Sequence, residues 1–140
     1  MNNTFYFLRH GQTNVDRSVS ISKWVLSDTG EVQAKQLDKE GIFKDIDLIF
    51  SSTEEKAYKT ALPIADSLGK DVTKLEEIVE LNRDKGAFIT AEEYEKTIKQ
   101  CLDHQMESVN NWETAAHALD RFSDKISELD KEYDNKKILV

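Results

Sequence analysis

The residues around His10 could bind and transfer a phosphoryl group. A neutral imidazole is a good nucleophile at about pH 7 and can form a phosphoramidate. Arg9 supplies a permanent cation, and Gly11 allows the backbone to approach a ligand closely. Gln12 and Thr13 add polar groups that can bond phosphate oxygens. The alternative interpretation is a chance histidine in a loop, since the motif is only the run Arg9-His10-Gly11-Gln12-Thr13.

Composition limits the kinds of ligand that the chain can bind. Its 140 residues suit one domain, residues 1–140, and its net charge is -8. Such an acidic protein is a poor general binder of nucleic acid or anionic membrane, so a phosphate site must be a local pocket of positive charge. The lone cysteine, Cys101, excludes an internal disulfide and fits a reducing compartment. Without a recognisable signal peptide or an apolar run of ~20 residues, we expect a cytoplasmic protein.

Strand and helix signals alternate along the chain. Short apolar runs predict strands, of which the first is expected to be buried, at residues 4–8, 48–50, 74–79 and 137–140. The first helix is expected to begin at Asp28-Thr29-Gly30-Glu31, with apolar positions at Val32, Leu37 and Ile42. The second is expected after possible N-caps at Ser51, Ser52 and Thr53, with a core stripe of Ala57, Ala61, Ile64 and Leu68 and a C-cap at Gly69.

Two further helices complete the pattern. Thr90 with Glu93 resembles a capping box for a helix with Tyr94, Ile98 and Cys101 inward. A last helix after Trp112 has one apolar face, formed by Ala115, Leu119, Phe122, Ile126 and Leu129. The alternation predicts an α/β fold, a single domain with three layers (α/β/α) and a mostly parallel central sheet. Ligands bind beyond the carboxyl ends of such strands, where we expect His10, Ser51-Ser52 and Glu80.

An ordered set of motifs resembles the histidine phosphatase superfamily, in its phosphoglycerate mutase-like branch. The segments that carry the resemblance are spread over nearly the whole chain: residues 5–13, 26–34, 49–61, 80–83, 112–121 and 136–140. The resemblance implies that His10 is a nucleophile that becomes phosphorylated and that Arg9 clamps the phosphoryl group. It also implies that Glu80 protonates the leaving oxygen and then activates water, a role that suits a raised pKa. Glu76 and Glu77 compete with Glu80 for that role.

The chain departs from the family pattern at three places. Lys56 stands where the family has its second phosphate-binding arginine, which keeps the charge but loses the bidentate fork; a solvated lysine is the alternative. Asp16 stands where mutases have an asparagine. A second catalytic histidine is expected just after the strand that begins at Lys137, and the chain ends at Val140. We expect His104 and His117 to be surface residues that do not replace it.

These observations predict a phosphomonoesterase that acts through a phosphohistidine on a small phosphorylated substrate. The predicted site comprises His10 and Glu80 as catalytic residues and a phosphate-binding set of Arg9, Gly11, Gln12, Thr13 and Lys56. No metal or other cofactor is expected, nor a nucleic-acid or membrane partner, and the oligomeric state stays open. The absent histidine leads us to expect weak or no activity from the 140 residues alone. The alternatives are a non-catalytic module that binds a phosphorylated ligand or a protein, and a mutase-type phosphotransferase.

Overall fold

The central layer is a parallel sheet of four strands. The computed structural model describes residues 2–140, and its strands are β1 (Thr4–Tyr6), β2 (Leu48–Ser52), β3 (Val72–Leu75) and β4 (Lys137–Leu139). Their order is β1-β4-β2-β3, and every pairing is parallel. The last strand in sequence therefore lies inside the sheet, between the first and the second.

Helices cover both faces of this sheet. They are α1 (Asp28–Lys39), α2 (Glu55–Leu68), α3 (Ala91–Asp103) and α4 (Ala115–Glu132). Ile49 and Leu139 point to one face, where they pack against α1 and α2. Their neighbours Phe50 and Ile138 point to the other face, where they pack against α4. Alternation along the strands thus divides the core in two, and the predicted three-layer α/β/α fold is confirmed.

The predicted helix ends are largely confirmed. The Ser27 side chain caps α1 by accepting a hydrogen bond from the Gly30 N–H, 3.1 Å away. Thr90 and Glu93 form the predicted capping box at the start of α3. Gly69 ends α2 with a φ of 62°, in the left-handed region that glycine adopts without strain.

The second helix and the third strand begin elsewhere than predicted. The N-cap of α2 is Glu54, because Ser51 and Ser52 stay in β2 and pair with Lys74 and Leu75. The third strand occupies residues 72–75 rather than 74–79. Because β2 ends at Ser52, the chain has no partner after Leu75 and turns into a single 3₁₀ turn at Glu76–Ile78.

Several side chains predicted to be buried are exposed. Val32 is 64% exposed, and Ile42 lies beyond the end of α1 and is 60% exposed. The buried side of α1 is instead formed by Gly30 and Ala34, because this helix packs very close to the loop after β1. Leu119, Tyr94 and Phe7 are also exposed. Small residues at a close contact give no apolar signal, which explains the error on α1.

Candidate active site

His10 follows β1 at the carboxyl edge of the sheet, as predicted. Its Nδ1 lies 2.7 Å from the Gly11 carbonyl oxygen, which can only accept, so Nδ1 carries a hydrogen and donates it. That leaves Nε2 as the second reactive atom, and it lies 2.6 Å from Oε1 of Glu80. Because a lone pair and a carboxylate oxygen cannot bond each other, one proton must lie between these two atoms. A ligand must separate them before Nε2 can act as a nucleophile.

Two glycines shape the loop that carries His10. A Cβ on Gly11 would lie 2.8 Å from the Gly30 carbonyl oxygen, and a Cβ on Gly30 would lie 2.1 Å from the carbonyl oxygen of Gln12. The Gly11 N–H donates to Thr60 Oγ1 at 3.0 Å, and that hydroxyl donates to the Lys56 carbonyl at 2.7 Å. The loop is therefore fixed between α1 and α2. Thr60 was not singled out in the sequence, because it reads as an ordinary helical position.

Lys56 is buried rather than solvated. Its side chain is only 2% exposed, and Nζ lies 3.2 Å from Glu80 Oε2 and 3.5 Å from Glu54 Oε1. The first turn of α2 therefore places this cation beside Glu80, the residue that also contacts His10. A buried ammonium group between two carboxylates is a point charge that can be redirected to a phosphate oxygen.

Glu80 connects the cluster. One carboxylate oxygen contacts His10, and the other contacts Lys56 and, at 2.7 Å, Nη2 of Arg83. Burial would raise the pKa of Glu80, but the hydrogen bond with His10 and the charges of Lys56, His10 and Arg83 outweigh it and lower the pKa to about 2. The expectation of a raised pKa is thus wrong for Glu80 with these contacts. Glu76 and Glu77 are exposed, and Glu77 pairs with Lys125 instead.

Arg83 belongs to the cluster; it ends the segment 80–83 that carried part of the family resemblance, although no role was predicted for it. Its Nη1 donates to the Tyr94 hydroxyl at 3.1 Å, and its guanidinium lies over the rings of Tyr94 and Trp112, 5.5 and 6.0 Å from their centroids. Its Nε is buried and has no hydrogen-bond partner among residues 2–140. The position three residues after Glu80 is the only sequence signal that could have indicated this contact.

Arg121 fixes the backbone of the segment that carries Glu80. It donates five hydrogen bonds: three at 2.7 Å to the carbonyl oxygens of Glu77, Val79 and Glu80, and two at 2.8 Å to the Glu113 carboxylate. The bond from Arg121 is the main cause that lowers the pKa of Glu113 to about 2, against its burial. Helix α4 thereby sets the position of Glu80 without contacting its carboxylate.

The remaining predicted phosphate-binding residues divide into two groups. Arg9 is exposed and Thr13 is half-buried, and both line a cavity of about 1040 Å³ that opens at His10. Gln12 is exposed and does not line this cavity; its backbone bonds Gln33 and Ser27. Asp16 accepts bonds from the Ser18 N–H and hydroxyl, which lower its pKa, and it also lies outside the cavity lining.

The cavity is positively charged although the protein is acidic. Its lining includes four cations and two carboxylates, namely Arg9, Arg17, Lys56 and Arg83 against Glu80 and Glu95. The local excess of positive charge contrasts with the net charge of -8 for the chain. This cavity therefore meets the condition that the composition set for a phosphate site.

Other features lie outside this cluster. His104 and His117 have side chains that are 56% and 71% exposed, and neither lines the cavity. Within residues 2–140, no group of His, Cys, Asp or Glu side chains is arranged to hold a metal ion. In the same part of the chain, every helix is too short or too polar to cross a membrane.

Comparison with known proteins identifies the family. A sequence model of the histidine phosphatase superfamily (branch 1) matches residues 5–140, so the chain belongs to that superfamily. It is 36% identical over 80 residues to putative phosphoserine phosphatase 2 of Hydrogenobacter thermophilus, which covers 55% of this chain and 39% of that protein. It is 28% identical over 121 residues to phosphoserine phosphatase 1 of the same organism, which covers 82% of this chain and 57% of the relative.

Solved structures agree on the fold. Bacillus stearothermophilus YhfR superposes with a TM-score of 0.78 at 19% identity, over 99% of this chain and 72% of that one. The phosphoserine phosphatase of Entamoeba histolytica, solved with 3-phosphoglyceric acid, superposes with a TM-score of 0.71 at 23% identity, over 99% and 73% of the two chains. The chain thus spans about two fifths to just under three fifths of the curated relatives and nearly three quarters of these structures.

Proposed function

We propose that the protein hydrolyses a small phosphomonoester through a phosphohistidine formed at His10. The observation that carries this proposal is the His10–Glu80 pair, in which a nucleophilic nitrogen and a carboxylate share one proton. A nucleophile and an acid–base group that face each other are the arrangement that phosphoryl transfer from an ester requires. Lys56 and Arg9 border the same point and supply positive charge for the phosphoryl oxygens.

Entry of a phosphate dianion would activate both members of the pair. The ligand separates Nε2 from the carboxylate and attracts Lys56 toward its own oxygens, so Glu80 loses two of the contacts that lower its pKa. A nearby negative charge raises a carboxyl pKa further. The shared proton then stays on Glu80, and Nε2 is left with a free lone pair. The low pKa of Glu80 in the contacts described above is therefore compatible with its proposed role as an acid once phosphate is bound.

The reaction then proceeds in two balanced steps. Nε2 of His10 attacks phosphorus, the bond from phosphorus to the ester oxygen breaks, and that oxygen takes the proton from Glu80. Water next attacks the phosphohistidine and gives a proton to Glu80 while the N–P bond breaks and its electrons return to the imidazole. The Nδ1–H bond to the Gly11 carbonyl holds the ring orientation through both steps.

Substitution of His10 tests the nucleophile. We expect a protein that contains these 140 residues and the second catalytic histidine to release phosphate from an aryl phosphate, and the 140 residues alone to do so weakly or not at all. After a brief reaction, the active protein should show an acid-labile increment of one phosphoryl group by mass spectrometry. His10→Ala should abolish both, since no other imidazole lines the cavity. His104→Ala, which changes an exposed histidine outside the cavity, is the matched control and should retain both. Turnover that survives His10→Ala would show the nucleophile assignment to be wrong.

The four cations of the cavity supply the charge that a metal ion would otherwise provide. We therefore expect phosphate release to be unchanged after treatment with a chelator and without added metal. A loss of turnover that returns with Mg²⁺ or Zn²⁺ would contradict this part of the proposal.

A non-catalytic phosphate-binding module is the second candidate, and the low pKa of Glu80 favours it. A carboxyl group with a pKa of about 2 donates no proton at neutral pH unless a ligand raises that pKa. The two candidates differ in one measurement. Calorimetry with inorganic phosphate would detect binding in both cases, whereas only the enzyme would form the phosphoenzyme at His10.

A further inference from the structure

The lining of the cavity that opens at His10 combines two chemically different sets of residues. A polar set contains Arg9, Lys56 and Glu80. An apolar set, the apolar wall, is formed by Trp24, Phe88, Ile89, Tyr94, Ile98 and Trp112. Arg17, Arg83 and Glu95 line the same cavity. A phosphoryl group needs only the polar set, so the apolar wall is available for the organic group that the phosphate esterifies.

The apolar wall is closely built. Trp112 is 3% exposed, and its ring lies 5.8 Å from that of Tyr94. A Cβ on Gly86 would lie 2.3 Å from Nε1 of Trp112, so the loop before α3 packs directly on the indole. Because this contact leaves the indole no room to retreat, the wall is a fixed surface that needs no rearrangement to receive a flat apolar group.

Phe88 forms the outer part of the same wall. Its ring is 44% exposed and lies under the guanidinium of Arg17, 4.3 Å from the ring centroid. Binding of an apolar ligand over such exposed aromatic surface is favourable, because it removes that surface from water. Arg83, the other guanidinium beside the wall, pairs with Glu80, whereas Arg17 contacts Phe88 through its face and keeps its N–H donors. Arg17 is therefore the group that could bind a second anion, and its substitution tests that alternative.

From this asymmetry we infer that the preferred substrate carries an aromatic or bulky apolar group on its phosphate, rather than the short charged group of phosphoserine. The inference rests on the proposed function for the position of the phosphate. A cavity of about 1040 Å³ is also large for a three-carbon ester. A carboxylate or ammonium group placed against the apolar wall would lose water, and only the charged groups of Arg17, Arg83 and Glu95 in the same lining could compensate for that loss.

Calorimetry with non-hydrolysable and small ligands tests this inference without turnover. The probes are 1-naphthylphosphonate, phenylphosphonate, phosphoserine and inorganic phosphate. We expect 1-naphthylphosphonate to bind roughly tenfold or more tightly than phosphoserine, with phenylphosphonate between them, because added apolar area is buried. Equal or tighter binding of phosphoserine would overturn the inference. Failure of all four probes to bind would overturn it as well.

Variants of the apolar wall test whether the tighter binding of 1-naphthylphosphonate arises from contacts with it. Phe88→Ala should reduce the preference for 1-naphthylphosphonate several-fold and leave inorganic phosphate binding unchanged, and Phe88→Leu should restore part of it. Leu102→Ala is the control, since Leu102 is 58% exposed on α3 and lies outside the cavity. Arg17→Gln tests the alternative that Arg17 binds the carboxylate of phosphoserine. A selective loss of phosphoserine binding in this variant would show that it does and that the inference is wrong.

Turnover with the matching esters separates this inference from the proposed function. If 1-naphthyl phosphate and phosphoserine are both hydrolysed and phosphoserine is preferred, the function stands and the inference fails. If the naphthyl ligand binds more tightly but neither ester is hydrolysed, the inference stands and the proposed function fails.

Discussion

Two carboxylates, Glu80 and Glu113, have the same low pKa for different structural reasons. Glu113 accepts two hydrogen bonds from Arg121, which also holds three backbone carbonyl groups. Glu80 is held by three separate side chains, those of His10, Lys56 and Arg83. Both groups have a pKa of about 2. The pKa alone therefore does not distinguish an acid–base group from a structural one.

The partners of the two carboxylates make the distinction. Arg121 has no further ligand to bind, because all five of its N–H bonds reach the protein itself. The partners of Glu80 border a cavity and can turn to a phosphate without leaving buried charge unpaired. We propose that Arg121 and Glu113 position the site and that the Glu80 cluster is the part that would change on phosphate binding.

The largest expected effect is on turnover through Glu80. Glu80→Gln should lower the rate of aryl phosphate hydrolysis by about 10²–10⁴-fold, since an amide cannot exchange a proton with the leaving oxygen. It should also lower the free energy of unfolding at neutral pH, because the stability that the ionised carboxylate contributes is lost, although Lys56 keeps Glu54 as a partner. Steady-state rates and urea unfolding measure the two effects.

Glu76→Gln is the matched control for that substitution. Glu76 is exposed, does not line the cavity and was the nearest rival in the sequence. Its substitution should leave the rate within about twofold of the starting protein, as expected for a surface change. A loss of rate in Glu76→Gln equal to that in Glu80→Gln would contradict the assignment of Glu80.

Substitution of Arg121 should reduce the stability of the protein more than substitution of Arg83. Arg121→Met should reduce the free energy of unfolding by roughly 3 kcal/mol, because three carbonyl groups lose their bonds from Arg121 and the Glu113 carboxylate keeps only the Asn82 N–H and His117, in a region that is only partly open to water. Arg83→Met should cost about 1 kcal/mol or less, since Glu80 keeps two other partners. Urea unfolding at neutral pH measures both, and an equal cost for the two variants would remove the distinction drawn above.

The sequence was most informative where one residue type has one geometric consequence. The position of His10 after a strand, the capping box at Thr90 and the C-cap at Gly69 could all be predicted, because each depends on local backbone chemistry. The expectation that residues after parallel strands meet at the carboxyl edge of the sheet also predicted that Glu80 lies near His10, although 70 positions separate them in sequence. The family resemblance indicated the functional set that these local signals alone left open.

The sequence was least informative where a contact depends on packing between distant elements. Nothing local indicates that Arg121 on α4 holds the carbonyl group of Glu80 or that Arg83 joins the cluster. Likewise, the buried side of α1 is made of Gly30 and Ala34, whose small size carries no apolar periodicity. The exposure of Val32 and Leu119 follows from the same limit, since periodicity gives a helix face but not what covers it.

The smallest expected effect is on the pH dependence of stability. Glu80 and Glu113 have folded pKa values lowered from 4.5 to about 2. The stability that their ionised forms contribute is thus present above pH 4.5 and is lost as the pH falls from 4.5 toward 2, where the unfolded chain binds protons first. Between these limits, each group should account for an uptake of about one proton on unfolding.

Urea unfolding between pH 2 and 6 can measure this slope for both carboxylates. Glu113→Gln and Glu80→Gln should each remove about one proton from it. Both variants should also lower stability at neutral pH, because each removes an ionised carboxylate that contributes stability above pH 4.5. An unchanged slope in Glu80→Gln would mean that its carboxyl group is not ionised in the folded protein without phosphate. The His10–Glu80 contact would then be a neutral hydrogen bond, with the proton already on the acid before any phosphate arrives.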